Sequence, residues 1–244
     1  MELKDKVALV TGAAGQGMGR SIALTLARKG AKVAVNYRTS KDQAQAIVSH
    51  IENHSGHAMA VEADVFQAED CKNLVDTVME KFDRIDICVI NPGAGWHPEP
   101  IDKLDATAAM EDVHHELAPF FYLMPLVLPQ MYERRWGRII GIALLPPYDS
   151  PAYSYNVGKA ARVHAMLKAR DEMWRHGVTV NVIAPGPVPA IDSLTEAIEQ
   201  CEHGPAWQKR ANTSPQDVAE SVAFLCSDTG RFITGCVLPF LFHS

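Results

Sequence analysis

The first thirty residues constrain the fold most, because they join a buried strand to a glycine-rich turn and then to a helix. Residues 7–10 are continuously apolar, the pattern of a parallel strand covered on both faces. Four glycines follow within residues 11–20, and helical periodicity then runs over 21–29. Glycines let a backbone approach a pyrophosphate, and a helix N-terminus offers free N–H groups, so this order favours a dinucleotide site over a structural turn. The residues expected to contact the phosphates are Gly12, Gly17, Met18 and Gly19.

The end of the second predicted strand indicates which dinucleotide is bound. In folds of this kind an acidic residue there binds the adenosine ribose, but this chain has no acid at that place. The residues present are Asn36, Tyr37, Arg38, Thr39 and Ser40. A guanidinium beside hydroxyl groups suits a 2′-phosphate, which an acid would repel. We therefore expect NADP(H) in preference to NAD(H); the alternative is that Arg38 only caps a surface loop.

Apolar strands and amphipathic helices alternate along the rest of the chain. Further strands are predicted over residues 32–37, 57–63, 85–90, 138–143, 178–184 and 233–238. Helices are predicted over residues 41–54, 68–82, 104–134, 155–176 and 214–226. Repeated strand–helix units with short connections predict an α/β protein. We expect residues 1–244 to form a single Rossmann-like domain, a doubly wound parallel sheet flanked by helices on both faces, with a candidate lid over residues 187–212.

The long helical segment 104–134 contains Pro119, Pro125 and Pro129. Each proline removes a backbone donor, so we expect the helix to kink or break there. Its apolar face is too extensive for solvent, and it consists of Phe120, Phe121, Leu123, Met124, Val127 and Leu128. Together with the helix that holds Tyr155, this face predicts a subunit interface; packing on the sheet is the alternative for any one residue.

Composition and charge exclude several classes of partner. The formal net charge of −6 lacks the basic surplus of a nucleic-acid binder. The apolar stretch 118–129 is too short to span a bilayer, and the N-terminus carries no apolar signal-peptide region. The five cysteines have no metal-ligand spacing, and the adjacent His114 and His115 would face different ways on a helix. We therefore expect a cytoplasmic protein without nucleic acid, membrane or metal partners.

Small and polar residues lie where the third and fourth predicted strands end. Asp64 and Val65 follow the third strand, and Asn91 and Gly93 follow the fourth. The carboxyl ends of parallel strands form the crevice in which such sheets bind ligands, so these four residues are candidate cofactor contacts. The next loop residues, the Trp-His pair at 96–97, are expected to line a substrate pocket.

Tyr155 and Lys159 lie four residues apart in a helical segment, which places their side chains on one face, one turn apart. A free tyrosine titrates near pH ~10, and an adjacent ammonium group stabilises the phenolate and lowers that pKa. The pair is therefore a candidate acid–base unit. The spacing is common by chance in helices, so its meaning depends on the motifs around it.

The order of these motifs resembles that of the short-chain dehydrogenase/reductase family over essentially the whole chain. The similar motifs are Thr11-Gly12 with Gly17 and Gly19, Asp64-Val65, Asn91 with Gly93, Tyr155 with Lys159, Asn181 with Pro185-Gly186, and Ile233-Thr234-Gly235. The resemblance implies that Tyr155 donates or accepts a proton, while Lys159 lowers its pKa and holds the nicotinamide ribose. It also implies cofactor contacts from Pro185 and Gly186, a small-molecule substrate, and a homodimer or homotetramer.

The chain departs from the family pattern at the substrate end. Where the family has a catalytic serine, residues 142–145 read Ile-Ala-Leu-Leu and offer no hydroxyl. Loss of one hydrogen-bond donor to a substrate carbonyl can cost on the order of 3 kcal/mol. Asp149, Ser150 and Tyr153 are candidate substitutes, although Asp149 and Ser150 could instead cap the following helix.

Glu116 stands where the family has a helix asparagine that supports a proton-relay water. A glutamate there could hold water, bind a cationic substrate or add an acid–base group, which makes Glu116 a candidate catalytic residue beside Tyr155 and Lys159. If the alignment slips by one residue, Glu116 is only a surface charge. Farther on, Ala190 replaces a threonine that holds the carboxamide in the family.

Two functions are compatible with these residues. The first is an NADPH-dependent oxidoreductase that transfers hydride to a carbonyl, C=N or C=C group of a small molecule, with Tyr155 as proton donor. The alternative is a nucleotide-binding pseudoenzyme that acts as a scaffold or sensor, which the missing serine, asparagine and threonine favour. Both functions require the dinucleotide site, but only the oxidoreductase converts a substrate.

Overall fold

A computed structural model describes residues 3–144, 152–204 and 213–240. The strands are β1 (Val7–Val10), β2 (Lys32–Tyr37), β3 (Ala58–Glu62), β4 (Ile87–Ile90), β5 (Gly137–Ile142), β6 (Val178–Ala184) and β7 (Val237–Pro239). They form one sheet in the order β3-β2-β1-β4-β5-β6-β7, and each neighbouring pair is parallel. The predicted Rossmann-like, doubly wound parallel sheet is confirmed.

Helices connect the strands. They are α1 (Met18–Arg28), α2 (Lys41–Asn53), α3 (Ala68–Phe82), α4 (Ala106–Arg134), α5 (Tyr153–Lys168), α6 (Arg170–Arg175), α7 (Leu194–His203) and α8 (Pro215–Cys226). The helix predicted over 155–176 is divided at Ala169 into α5 and α6. The candidate lid over residues 187–212 contains α7, and residues 205–212 lie outside the described ranges.

Side chains of β1 alternate between two apolar cores, one on each face of the sheet. Ala8 and Val10 belong to a core shared with α1, α2 and α8. Val7 and Leu9 belong to a core shared with α3, α4 and α5. Because helices cover both faces, the strand is a continuous apolar run rather than an alternating one. This burial is the reason that the strands could be located from the sequence.

The crevice of this sheet lies beside β1, where the strand order reverses. Strand β1 pairs with β2 on one side and with β4 on the other. The sheet therefore grows in one direction from β1 to β3 and in the opposite direction from β4 to β7. Ligands bind outside the carboxyl ends of strands at such a switch point. Residues 11–17 after β1 and residues 91–97 after β4 therefore meet there.

The prolines of α4 do not break the helix, so of the two predicted outcomes, a kink or a break, the break is wrong. Residues Ala106–Arg134 form one helix of 29 residues that includes Pro119, Pro125 and Pro129. Its buried face, which includes Leu123 at 0% exposure, packs in the core with α3 and α5. Helix stability in proteins comes mostly from such packing, which here outweighs the lost backbone donors. Within the described part of the chain, no helix is long and apolar enough to cross a membrane.

The apolar face of α4 is divided between the sheet and the exterior. Phe120, Leu123 and Val127 are buried in the core, so the alternative of packing on the sheet holds for these residues. Phe121 has 56% of its surface exposed and stays on the outside. Only this outer part of the face remains available to a second subunit.

Candidate active site

The loops after β1 and β4 are joined by side-chain hydrogen bonds. Thr11 Oγ1 donates to the Val89 carbonyl (2.9 Å) and accepts from the Asn91 N–H (3.1 Å). The Asn91 side-chain amide donates to the carbonyls of Thr11 (3.2 Å) and Gly12 (3.3 Å). Asn91, a predicted cofactor residue, thus directs its amide at the glycine turn and fixes the turn at the crevice.

The glycine turn is tight on its inner side and open on its outer side. Gly12 has a φ of +59°, and a Cβ at Gly19 would lie 2.4 Å from the Gly12 carbonyl oxygen, so neither accepts a side chain easily. A Cβ at Gly15 or Gly17 would meet nothing within 4 Å. Gly17 caps α1 without a side-chain hydrogen bond, and Met18 begins the helix with its side chain packed against the core. The outer side of the turn that leads into the N-terminus of α1 is therefore open.

A cavity of about 280 Å³ adjoins this turn. The predicted cofactor residues that line it are Gly12, Arg38, Asp64, Val65 and Gly93. The hydroxyl-bearing residues Thr39 and Ser40 line it as well. The structure thus brings together residues from four loops, those after β1, β2, β3 and β4, that the sequence predicted for the cofactor site.

Among the polar residues at the end of β2, Arg38 has an exposed side chain with only a long contact to a carboxylate. Its side chain is 59% exposed, and Nη1 lies 3.8 Å from Asp64 Oδ2. Asn36 is buried instead, because its Oδ1 accepts from the Gly12 N–H (3.0 Å) and its Nδ2 donates to the Ala63 carbonyl (3.1 Å). Arg38 can reorient toward a phosphate, whereas Asn36 supports the turn.

Tyr155 and Lys159 lie near the beginning of α5, as their spacing predicted. The Trp96 ring stands edge-on to the Tyr155 ring with centroids 5.4 Å apart, so this loop residue does reach the tyrosine. Lys159 Nζ lies 5.1 Å from the centroid of the Tyr155 ring. The same Nζ is 3.0 Å from Glu116 Oε1, which makes the carboxylate its nearest charged partner.

Glu116 is fully buried and belongs to a cluster of three charges with Lys159 and Arg162. Its Oε1 accepts from the Ala94 N–H (2.8 Å), and its Oε2 lies 3.1 Å from Arg162 Nη2. The alternative of a surface charge is therefore wrong. The carboxylate offsets one of two buried cations, so the cluster has a formal net charge of +1 when all three groups are ionised.

Arg162, which the sequence prediction missed, connects its own helix α5 to three other backbone segments. Its guanidinium donates to the carbonyls of Glu116 (2.7 Å), Ile142 (2.9 Å) and Pro92 (2.6 Å). These carbonyls belong to α4, the end of β5 and the loop after β4. The side chain is 0% exposed, so the hydrogen bonds replace its hydration. A second basic residue three positions after Lys159, on the same side of the helix, was the available signal.

Two glycines make room for the Glu116 side chain. A Cβ at Gly93 would lie 2.2 Å from Glu116 Oε1, and a Cβ at Gly158 would lie 2.8 Å from its Cγ. Both distances are shorter than real Cβ contacts allow. Gly93 therefore has a steric role toward Glu116 in addition to lining the cofactor cavity.

The cluster affects the acid–base properties of the tyrosine. Burial and, next, the negative charge of Glu116 raise the pKa of Tyr155 to about 12. Burial and, next, the positive charge of Arg162 lower the pKa of Lys159 to about 8, against the opposing effect of Glu116. The expected lowering of the Tyr155 pKa by Lys159 is not seen in this structure, because burial and Glu116 raise that pKa and the lysine pairs with the same carboxylate. The phenol keeps its proton at neutral pH.

The position expected for a catalytic serine carries no hydroxyl in the described residues. Strand β5 ends at Ile142, and Ala143 follows with its N–H bonded to the Ile183 carbonyl (2.9 Å). Of the candidate substitutes, Asp149 and Ser150 lie outside the described ranges, and Tyr153 begins α5 with 48% exposure.

His97 and Ser154 are joined through Asp112 rather than through Tyr155. Ser154 Oγ donates to Asp112 Oδ2 (2.6 Å), and His97 Nδ1 lies 3.3 Å from Asp112 Oδ1. All three line a cavity of about 410 Å³ beside α4. This carboxylate, which the sequence did not single out, holds the loop after β4 against both helices.

The predicted cofactor residues Pro185 and Gly186 follow the end of β6. Pro185 is buried, and Gly186 has a φ of +68°, a conformation that favours glycine. Just beyond, the Ile191 N–H donates to the Gln16 carbonyl (2.9 Å), and the buried Arg20 guanidinium donates to the Ile191 carbonyl. The beginning of the candidate lid is thereby attached to the glycine turn.

The sheet order, the glycine turn and the cavity at the switch point define a dinucleotide-binding α/β protein. Comparison with known sequences makes the assignment specific: the family described as short chain dehydrogenase matches residues 6–200. The chain belongs to the short-chain dehydrogenase/reductase family.

Curated relatives cover almost the whole chain. It is 34% identical over 245 residues to a 3-oxoacyl-[acyl-carrier-protein] reductase FabG of Staphylococcus epidermidis, with 95% of each chain covered. It is 33% identical over 247 residues to a 7alpha-hydroxysteroid dehydrogenase of Escherichia coli K12, with 98% of this chain and 93% of the relative covered. These relatives are oxidoreductases, which supports an enzymatic role of that general kind.

Solved structures agree in fold. A 7 alpha-hydroxysteroid dehydrogenase complexed with NADH and 7-oxo glycochenodeoxycholic acid gives a TM-score of 0.85 at 28% identity, covering 98% of this chain and 94% of that one. A short chain dehydrogenase from Burkholderia cenocepacia J2315 in complex with NADP gives 0.82 at 29% identity, with 98% of both chains covered. Nicotinamide cofactors of both kinds are thus present in structural relatives.

We expect Arg162→Met to lower the free energy of unfolding by roughly 3–5 kcal/mol, because it removes one partner of a buried carboxylate. Glu116→Gln in the same background should restore part of the loss, since no buried negative charge then remains. Denaturant unfolding of both single variants and the double variant measures the coupling. Lys168→Met, at an exposed cation of the same helix, serves as the control. Strictly additive losses at 116 and 162 would contradict a coupled cluster.

Proposed function

We propose that the protein is an NADPH-dependent oxidoreductase that transfers hydride to a carbonyl, C=N or C=C group of a small molecule. The observation that carries the proposal is the position of Tyr155, a protonated phenol beside Lys159 and Trp96, in a protein with a dinucleotide crevice. Family membership supports the general reaction, and the choice of NADP(H) comes from Arg38.

The residues present fit a dinucleotide. The open outer side at Gly15 and Gly17, the N-terminus of α1 and the adjoining cavity of about 280 Å³ offer space and N–H donors for a pyrophosphate. Arg38, with Thr39 and Ser40, would bind the 2′-phosphate. When bound, the nicotinamide supplies the hydride, and the protein supplies binding, orientation and the proton.

Tyr155 is proposed as the proton donor for reduction. A pKa of about 12 leaves the phenol protonated across the physiological range, so the proton is available to a developing alkoxide. The reverse reaction would need the phenolate, which burial and Glu116 disfavour. The protonated phenol, which reduction needs, is therefore the form that Tyr155 holds at neutral pH.

Glu116 and Lys159 are proposed to act together in the site. Lys159 keeps its ammonium group at neutral pH with the help of Glu116, because the carboxylate raises a pKa that burial and Arg162 lower. The Lys159 ammonium can then hold the nicotinamide ribose and interact with the Tyr155 phenol, as the family resemblance implies. Glu116 would raise the pKa of Lys159, and it would influence a substrate only through that lysine.

The alternative function, a pseudoenzyme that binds the nucleotide as a scaffold or sensor, has one observation in its favour. The described residues after β5, Ala143 and Leu144, have no hydroxyl to polarise a substrate carbonyl. Removing such a donor costs roughly 3 kcal/mol of transition-state stabilisation, about a hundredfold in rate. NADPH binding without turnover on a broad carbonyl panel would decide for this alternative.

Subunit association is part of the proposal. Met110 and Phe121 on α4 and Val157 on α5 are 67%, 56% and 43% exposed, respectively. Burying such side chains against a second copy would remove apolar surface from water, which favours a homodimer or homotetramer.

Tyr155→Phe should lower kcat for carbonyl reduction by about 100-fold or more, because general-acid catalysis by a positioned side chain contributes about that much. NADPH affinity should change little, since the phenyl ring keeps its contact with Trp96. The measurement is NADPH oxidation at saturating carbonyl substrate, with Tyr122→Phe on α4 as a control. Normal turnover by the Tyr155 variant would exclude this residue as the acid.

The rate of reduction should fall as the pH rises through about 8, because Lys159 loses its proton there and its ammonium group is then absent from the site. Glu116→Gln removes a charge that raises the pKa of Lys159, so the decline should move to lower pH. Profiles of kcat/KM against pH for both proteins test this. Glu111→Gln, at an exposed carboxylate of the same helix, should leave the profile unchanged. A shift to higher pH in Glu116→Gln would refute the assignment.

Arg38→Ala should weaken NADPH binding by about 10-fold to 100-fold, the expected loss for a hydrogen bond between charged groups. NADH lacks the 2′-phosphate, so its dissociation constant should change less than about twofold. Fluorescence titration with both cofactors measures the difference. Equal losses for the two cofactors would show that Arg38 does not select the phosphate.

A further inference from the structure

We propose that His50, His54 and Glu202 form a binding site for a divalent transition-metal ion, remote from the candidate active site. Each offers one ligand atom, and the three atoms all lie within 4.8 Å of one another. His50 lies in the last turn of α2, His54 is the residue directly after that helix, and Glu202 lies in α7. The residues do not line the crevice, so the proposal is independent of the proposed function.

The two histidines form a pair at the C-terminal end of α2, where His54 caps the helix. They lie four residues apart, which places their rings one turn apart, and the ring centroids are 4.3 Å from each other. His54 Nδ1 lies 2.8 Å from the His50 carbonyl oxygen. A hydrogen bond there requires the proton on Nδ1, which leaves the Nε2 lone pair for a metal.

Glu202 reaches this pair from a distant part of the chain because α7 packs firmly on the body of the protein. Ala197 and Cys201 of α7 are buried, and Cys201 Sγ lies 3.6 Å from Thr25 Oγ1 of α1. Glu202 follows directly and is held near α2. A cavity of about 280 Å³, lined by His50, His54 and Glu202 among others, leaves room for water on a bound ion.

The donor set selects the kind of ion. Two imidazole nitrogens and one carboxylate suit Zn²⁺, with water as the fourth ligand, whereas Ca²⁺ and Mg²⁺ prefer oxygen ligands alone. An ion there would join α2 to α7, and α7 follows the segment whose Ile191 is bonded to the glycine turn. Metal binding would thus stabilise the folded chain. The sequence could not show the site, because Glu202 lies 148 residues beyond His54.

Zn²⁺ titration of the full-length protein, free of a polyhistidine tag and treated with chelator, tests the site. Calorimetry should give one Zn²⁺ per chain, and Tm should rise with added Zn²⁺ but not with Mg²⁺. His54→Gln and Glu202→Gln should each weaken Zn²⁺ binding by at least about 10-fold and abolish the rise in Tm. Both residues are exposed, so the Tm without metal should stay unchanged.

Two matched controls separate this site from other ligands. His57→Gln changes a histidine that lines the same cavity outside the trio, and Cys236→Ser removes a partly exposed thiol. Both should bind Zn²⁺ like the unaltered protein. The proposal is overturned if Zn²⁺ does not bind saturably, if His54→Gln and Glu202→Gln bind it normally, or if either control abolishes binding. Absorption of bound Co²⁺ that is lost in His54→Gln would independently support imidazole ligation.

Discussion

The hydrogen bonds of Arg162 hold the substrate end of this protein together. One buried guanidinium binds carbonyls of α4, of the β5 end and of the loop after β4, and it also pairs with Glu116. Buried ion pairs contribute little net stability, because desolvation offsets the attraction. Their value here is geometric. One guanidinium binds carbonyls of all three backbone segments, and this fixes how the segments are arranged relative to one another.

The two ends of the crevice are built by different physical means. At the nucleotide end, glycines and the side-chain amides of Asn36 and Asn91 shape a backbone surface, which needs few charges. At the tyrosine end, buried charges set the protonation of Tyr155 and Lys159. The first end depends on steric fit, and the second depends on electrostatics in a poorly hydrated interior.

The parallel strands and the glycine turn were largely predictable from the sequence, whereas the buried charge cluster was not. Buried parallel strands leave apolar runs, and a phosphate turn leaves glycines, so both are local signals. The contacts of Glu116 with Arg162 link positions 46 residues apart, and nothing in either local segment specifies the partner. The continuity of α4 through Pro119 likewise depends on packing against α5, which no local rule about proline contains. The pKa of Tyr155 was misjudged because Lys159 was considered without its carboxylate.

The space around Glu116 also determines the order in which this site can change by mutation. Gly93 and Gly158 have no room for a side chain while a glutamate lies between them. A shorter residue at 116 would have to appear first, and it would leave Arg162 without its carboxylate until that position changed too. The four positions are therefore epistatic: each is constrained by the current state of the others, and a relative with a side chain at 93 or 158 should differ at 116 as well.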